Sequence, residues 1–251
     1  LRVFPFKSLD GADVAAAMLV ERGALRHDRA FALVDPSGSF VNGKREPRVH
    51  ELRVAYDAAL TQATFTSPRL AEPFAFAFEA DPAPLAAWLA RHFGRPIALR
   101  RDEAGGFPDD EDAPGPTIVS SATLAAVASW FPGLNLAGMR DRLRANIEVD
   151  GVPPFWEDRL YATAGTVVAF RVGEVALEGT NPCARCIVPS RDPVTGAALA
   201  TFAKVVAERR AVTLPAWADR SHFDHFYRLA VNTRAAAGQA GRTLRVGDAI
   251  A

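Results

Sequence analysis

Short runs of alternating apolar residues, each cut off by Gly, Pro, Asn or Asp, fill the first hundred residues and confine this part of the chain to β structure. Arg29 to Asp35 alternates, and Asp35-Pro36-Ser37-Gly38 supplies a turn ahead of Ser39 to Asn42. Glu51 to Asp57 and Ala63 to Ser67 are predicted to form a hairpin, followed by an extended stretch that puts Phe74, Phe76 and Phe78 on one face. One helix interrupts the strands: Pro84 to Phe93 has apolar residues at helical spacing and stops at Gly94. Ile97 to Arg100 returns to strand. The acidic, Gly- and Pro-rich segment Asp102 to Gly115 then marks a boundary, read as a solvated connection or a lid.

Beyond that boundary the pattern mixes. Ser120 or Ser121 can cap a helix running through Thr123 to Trp130. Strands are predicted at Asn146 to Val149, Val167 to Val172 and Glu174 to Leu177, the last two joined by a tight turn at Gly173. A helix is expected over Phe202 to Arg209, and Phe226 to Val231 and Thr243 to Val246 read as closing strands. The expectation is an α+β, β-rich, barrel-like protein with a few peripheral helices, divided into residues 1–104, a linker or lid at 105–115, and residues 116–251.

Charge narrows the function. Lys plus Arg and Asp plus Glu each total 29 among 251 residues. A chain without excess positive charge is a poor candidate for general nucleic-acid or membrane-surface binding. No apolar run approaches the ~18 residues needed to span a bilayer. Because the first residue is Leu1, an upstream leader or anchor would be invisible here. Only two cysteines occur, Cys183 and Cys186, which argues against a disulfide scaffold and favours a reducing, cytoplasmic setting.

Those two cysteines form a C-x-x-C within Asn181-Pro182-Cys183-Ala184-Arg185-Cys186, placed after a predicted strand. Structural zinc would need two further ligands, for which only the weak pair His222 and His225 offers itself. A thioredoxin-like redox pair would put its first cysteine at a helix N-terminus, whereas β-branched residues and Pro189 follow here. Buried, inert cysteines are a third reading. Against it, Arg185 and Arg191 flank the motif, and neighbouring cations favour thiolates, which are soft metal ligands. The spacing does not choose among metals.

Seven fragments, in order along nearly the whole chain, resemble the MOSC family in its branch with an N-terminal MOSC β-barrel. That branch includes the mitochondrial amidoxime-reducing component and bacterial relatives. Phe4-Pro5-Phe6-Lys7-Ser8 resembles an opening YPVKS, and His27-Asp28-Arg29-Ala30-Phe31 resembles the segment around its DR pair. Lys44-Arg45-Glu46-Pro47-Arg48 is similar to QEPR or REPR, and Leu143-Arg144-Ala145-Asn146 to FRPN. Phe155-Trp156-Glu157-Asp158, Cys183 to Gly196 and Leu244-Arg245-Val246-Gly247-Asp248 resemble the ED-W region, CSRC…DPDTG and the closing IKVGD. Two departures stand out, Phe6 in place of Val and Ala30-Phe31 in place of a bulkier aromatic pair; both are expected to alter packing or substrate shape.

The resemblance implies a molybdenum–molybdopterin cofactor, with Cys186 as the protein's ligand to the metal and the catalytic position. It implies cofactor binding by Lys7, Ser8, Arg29, Arg45, Arg144 and Asn146. Arg and Lys suit a terminal phosphate, and Asn offers a donor and an acceptor to a pterin edge. Glu157 and Asp158 are either supports for basic residues or surface turn residues; His27 and His50 are expected to be ordinary histidines. The strands carrying Lys7 and Arg29 must then fold back onto the cysteine loop, making the site a cleft between the two parts. The implied activity is reduction of N-hydroxylated small molecules. With two cysteines the chain cannot ligate a ferredoxin-type cluster, so electrons must come from a separate protein, ferredoxin-like or a b-type cytochrome with its reductase. The alternative is a non-catalytic carrier of the cofactor, or of sulfur as a persulfide on Cys186. Pyridoxal phosphate binding lacks a local lysine motif.

Overall fold

The computed structural model describes residues 1–251. The first part contains β1 (Arg2–Val3), β2 (Ala12–Asp13), β3 (Ala16–Met18), β4 (Phe31–Val34), β5 (Arg53–Tyr56), β6 (Gln62–Ser67), β7 (Leu70–Ala77), α1 (Ala83–Phe93) and β8 (Ala98–Arg101). The second contains β9 (Ile118–Ser120), α2 (Ser121–Ala128), α3 (Leu136–Leu143), β10 (Ile147–Val149), β11 (Val168–Val172), β12 (Val175–Ala184), α4 (Phe202–Thr213), β13 (Arg228–Ala235) and β14 (Thr243–Arg245). The protein is α+β and β-rich, and no helix is long and apolar enough to cross a membrane.

Local chemistry explains the clearest elements. Gly94, at φ 62°, closes α1 in the left-handed conformation that glycine adopts without Cβ strain. The Ser120 hydroxyl caps α2 by accepting from the Thr123 amide at 3.0 Å. Strand β12 runs further than its alternation indicated, through the first cysteine to Ala184, because β13 pairs with it along that length across two register shifts. Helix α3 was not anticipated: its eight residues include Gly138 and two arginines and show little amphipathic contrast. The Asn135 side chain nonetheless caps it, accepting from the Gly138 amide at 2.9 Å.

The second part is built on a five-stranded sheet ordered β10-β9-β13-β12-β11, antiparallel except for the β10–β9 pair. The first part holds smaller sheets, including the β5-β6-β7 meander. The parts are not independent. Strand β14, almost at the end of the chain, pairs with β3 near its start, and the Arg2 amide donates to Asn146 O at 2.8 Å. A single cluster of 33 buried residues runs from Val3 to Leu244, so one apolar core crosses the boundary. Phe6 and Phe31 stack within it at 4.8 Å between ring centroids. Both departures from the family motifs therefore serve packing, with Phe65, Phe76 and Phe78 completing the aromatic group.

A second cluster packs α2, α3 and α4 against the large sheet. Polar groups are buried beside it. Asp158 and Arg210 form an ion pair with side chains 4% and 2% exposed, and the Arg210 guanidinium lies 4.5 Å from the Phe155 ring. Glu157 is almost fully buried and accepts from Thr123 Oγ1 at 3.0 Å. Both acids therefore fasten the fold and are not surface turn residues. Burial raises the Glu157 carboxyl to about 7, so the native state keeps its proton at a pH where the unfolded chain has lost it. Stability contributed by this group is present below its ordinary value and declines as pH rises from about 4.5 towards 7, by roughly 3 kcal/mol in total. In Glu157→Gln that decline should vanish, which urea titrations at pH 5 and pH 7.5 would register as a smaller difference between the two midpoints than in the wild type.

Candidate functional site

A cavity of about 850 Å³ lies between the two parts. The β1–β2 connection brings Lys7 and Ser8 to it, the segment before β4 brings Arg29, the end of α3 brings Arg144, and the end of β12 brings Cys183 and Cys186. Residues far apart in sequence thus share one cleft, as the expected folding-back requires.

Three of these residues hold unusual backbone conformations. Ser8 (φ 73°), Arg29 (φ 52°) and Arg144 (φ 54°) are left-handed, although each carries a Cβ. Each such conformation costs about 1–2 kcal/mol and persists only where surrounding bonds impose it. Here the bonds are visible. Asp28 Oδ1 accepts from the Phe4 amide at 2.8 Å and from Asn146 Nδ2 at 3.0 Å, and Asp28 also pairs with the Arg29 guanidinium. Arg144 is the C-cap of α3, its amide donating to Arg140 O. The Phe4 ring sits beneath both guanidinium groups, 4.1 Å from Arg144 and 5.4 Å from Arg29.

Arg144 is short of partners. Nη1 donates to Leu9 O at 2.6 Å, but the buried Nη2 has no partner, and Asp10 and Asp28 act on the group only from beyond ion-pair distance. Burial, with Arg29 nearby, lowers its guanidinium to about 10. A desolvated cation with a free donor is what an anionic ligand would complete.

Lys7 is buried and its Nζ is already engaged. It donates to Phe107 O at 2.8 Å, Pro108 O at 3.3 Å and Asp109 Oδ1 at 2.8 Å. Burial lowers the Lys7 ammonium and Asp109 opposes that shift; burial in turn pushes the Asp109 carboxyl up, yet Lys7 holds it below the usual carboxylate range. Asp110 Oδ2 accepts from Asn232 at 3.1 Å and Asn181 at 3.4 Å. The acidic segment is therefore part of the cavity wall, laid across its cations.

At the opposite wall Cys183 and Cys186 are half-buried, free thiols. Arg185 Nη1 approaches Cys183 Sγ at 3.1 Å while Nη2 donates to Leu143 O. Tyr227 Oη donates to Cys186 O at 3.1 Å. Behind the cysteines, Arg142 is 5% exposed and donates to Pro189 O at 3.0 Å and Arg191 O at 2.5 Å, pinning the chain after Cys186 to α3. No group of three or more His, Cys, Asp or Glu side chains is placed to hold a metal ion, which leaves the zinc reading without a ligand set, and Cys183 lies on a strand and not at a helix N-terminus as the thioredoxin-like reading requires.

Two residues expected at the cofactor do not line the cavity. Asn146 is 1% exposed and spends its amide on the fold: Nδ2 donates to Arg2 O and Asp28 Oδ1, both at 3.0 Å, and Oδ1 accepts from the Thr117 amide at 3.1 Å. It supports the site from behind. Arg45 is exposed and does not line the cavity; its neighbour Lys44 does, 3.7 Å from Asp109. Arg48 bonds to Glu46 and Phe93 O, away from the cleft. Sequence reasoning missed Arg142 and Asp109. The first sits immediately before the Leu143-Arg144-Ala145-Asn146 motif, and the second lies in the segment already flagged as a lid.

Residues 1–96 match the family described as MOSC N-terminal beta barrel domain, and residues 117–251 match the MOSC domain. No curated protein matches the chain. The acidic segment falls between the two matches. Its tethers through Asp109 and Asp110 are each expected to contribute about 1 kcal/mol. The double variant Asp109→Asn, Asp110→Ala should therefore be nicked within residues 105–115 roughly thirtyfold faster under limited proteolysis, a rate that mass spectrometry of the fragments would follow.

Proposed function

This chain belongs to the MOSC family, whose domains bind molybdenum cofactors, and from that premise we propose that it is a molybdenum-dependent reductase of N-hydroxylated compounds. The observation that carries the reading is the meeting of Cys186 with Lys7, Ser8, Arg29 and Arg144 in one cleft. The side chains fit a phosphate-bearing, thiolate-ligated metal cofactor. Cys186 is a free thiol reachable from the cavity, and Arg144 Nη2 is a buried donor awaiting an acceptor.

In this reading Cys186 ligates the metal, while Lys7, Ser8, Arg29 and Arg144 hold the phosphate and Asn146 fixes Arg29 and Arg144 from behind. Arg185 stays committed to Cys183 and Leu143 O, which sets the first cysteine aside from ligation. The chemistry such a cofactor supplies when bound is two-electron cleavage of an N–O bond, in which two protons and two electrons convert N–OH to N–H and water. With two cysteines between them, residues 1–251 cannot hold a ferredoxin-type cluster, and in this reading their electrons come from a donor outside these residues, ferredoxin-like or cytochrome b-type.

A carrier role is the second reading, favoured by the half-exposed position of both thiols on an open cleft. Protein produced in a host that makes the cofactor distinguishes the two. Metal analysis should find close to one molybdenum per wild-type chain, little in Cys186→Ser and most of it in Cys183→Ser. Equal molybdenum in the two variants would defeat the ligand assignment. Turnover of an amidoxime with a reduced viologen dye supports the enzyme, whereas molybdenum-free protein bearing a persulfide on Cys186 supports the carrier.

A further inference from the structure

Three consecutive residues at the end of α3 bear on the cleft in different ways. Arg144 lines it, Leu143 O accepts from Arg185 Nη2 between the two cysteines, and Arg142 holds the chain just after Cys186. Arg142 is an unusual arginine. Its side chain is 4% exposed, yet the nearest carboxylate, Asp192, lies 3.4 Å from Nη2 and is itself partly exposed. The closer bonds go to main chain: Nη1 donates to Pro189 O at 3.0 Å and also to Arg191 O. The Phe202 ring of α4 lies 5.9 Å from the guanidinium. Burying a guanidinium is costly, and this one is spent mainly on two carbonyls of a single loop. Charge-assisted bonds of that kind are stronger than ordinary ones and hold their acceptors in place.

The loop that Arg142 holds is tied together internally. Ser190 Oγ donates to Ile187 O at 2.6 Å, and the Leu199 amide donates to Ser190 O at 2.7 Å. Asp192 Oδ1 accepts from the Val194 and Thr195 amides at 3.1 and 2.9 Å. Fixing residues 189 and 191 therefore places residues 187–196 as a unit, with Cys186 at its head. Two further bonds reach this stretch from elsewhere, Tyr227 Oη to Cys186 O at 3.1 Å and Arg53 Nη2 to Pro193 O at 2.8 Å. Cys183 is placed differently: it lies within β12, which β13 pairs on both sides of it, and Arg185 contacts its sulfur. We propose that Arg142 is the positioning residue for Cys186, setting through Pro189 O and Arg191 O where that sulfur stands relative to Arg144. Its consequence for the metal rests on the reading of Cys186 as ligand; its effect on the loop does not. One helix end then fixes both the thiol and a cation of the cleft, and Arg142 acts without touching the metal.

The test labels the full chain, purified from a host unable to make the pterin cofactor, with iodoacetamide. Trypsin cleaves after Arg185, so the labels on Cys183 and Cys186 fall on separate peptides, and the ratio of their rates reports the loop apart from any general loosening. In Arg142→Met that ratio should rise about fivefold in favour of Cys186. Arg142→Lys, which keeps a cationic donor without the fork, should fall between. Arg140→Met removes a guanidinium of the same helix that is bonded to Glu148, and should leave the ratio unchanged. Circular dichroism and melting report whether each variant folds, and Arg142→Lys and Arg142→Gln carry the test if Arg142→Met does not. In a host that makes the cofactor, Arg142→Met should hold about tenfold less molybdenum than the wild type, with Arg142→Lys between. An unchanged labelling ratio overturns the proposal, as does full molybdenum in Arg142→Met beside full molybdenum in the wild type. A raised ratio in Arg142→Met beside molybdenum-free wild type supports Arg142 as the residue that places Cys186, and defeats the molybdenum reading alone.

Discussion

A buried knot around Asn146 and Asp28 holds the two parts of this protein in register. Asn146 reaches across to Arg2 O and to the Asp28 carboxylate, while the same carboxylate takes the Phe4 amide and the Arg29 guanidinium. In a site shielded from water each of these bonds is expensive to lose, because its partner has nowhere else to turn. The knot fixes the segment after β1 that leads to Lys7 and the turn that carries Arg29 relative to the end of α3. The left-handed conformation at Arg29 is sustained by this network, through the ion pair to Asp28.

The acidic segment gives the cleft a different character from a simple basic groove. Carboxylates from residues 109 and 110 meet Lys7 from one side and Asn181 and Asn232 from the other. An arriving anion competes with an internal one, so its net gain is the difference between two charge-assisted contacts. That favours ligands which engage several cations at once over a solitary surface counter-ion. Discrimination follows from the arrangement as well as affinity.

Much of this was legible beforehand, for reasons particular to each element. Gly94 announced the end of α1, the period-two aromatic run announced β7, and Gly173 announced the turn between β11 and β12, because each is dictated by neighbours in sequence. Helix α3 was hidden because its stability comes from Met139 and Leu143 packing onto the second core, with little periodicity to betray it. The pairing of β14 with β3 was hidden because nothing local specifies which distant edge a short strand will find. At the site, motif order named Lys7, Ser8, Arg29, Arg144 and Cys186 together, but residue type alone could not tell that Asn146 faces the scaffold while Arg142 grips the cysteine loop. Polarity marks a residue as busy, and only the folded chain shows with whom.

The β14–β3 ladder also orders events in biosynthesis. Strand β3 leaves the ribosome long before its partner, and its hydrogen-bonding edge waits for residues 243–245. The amino-terminal half must therefore travel through translation with an unpaired edge, a state exposed to association with other nascent chains. The cleft, walled by both halves, cannot mature until residues of both have been made.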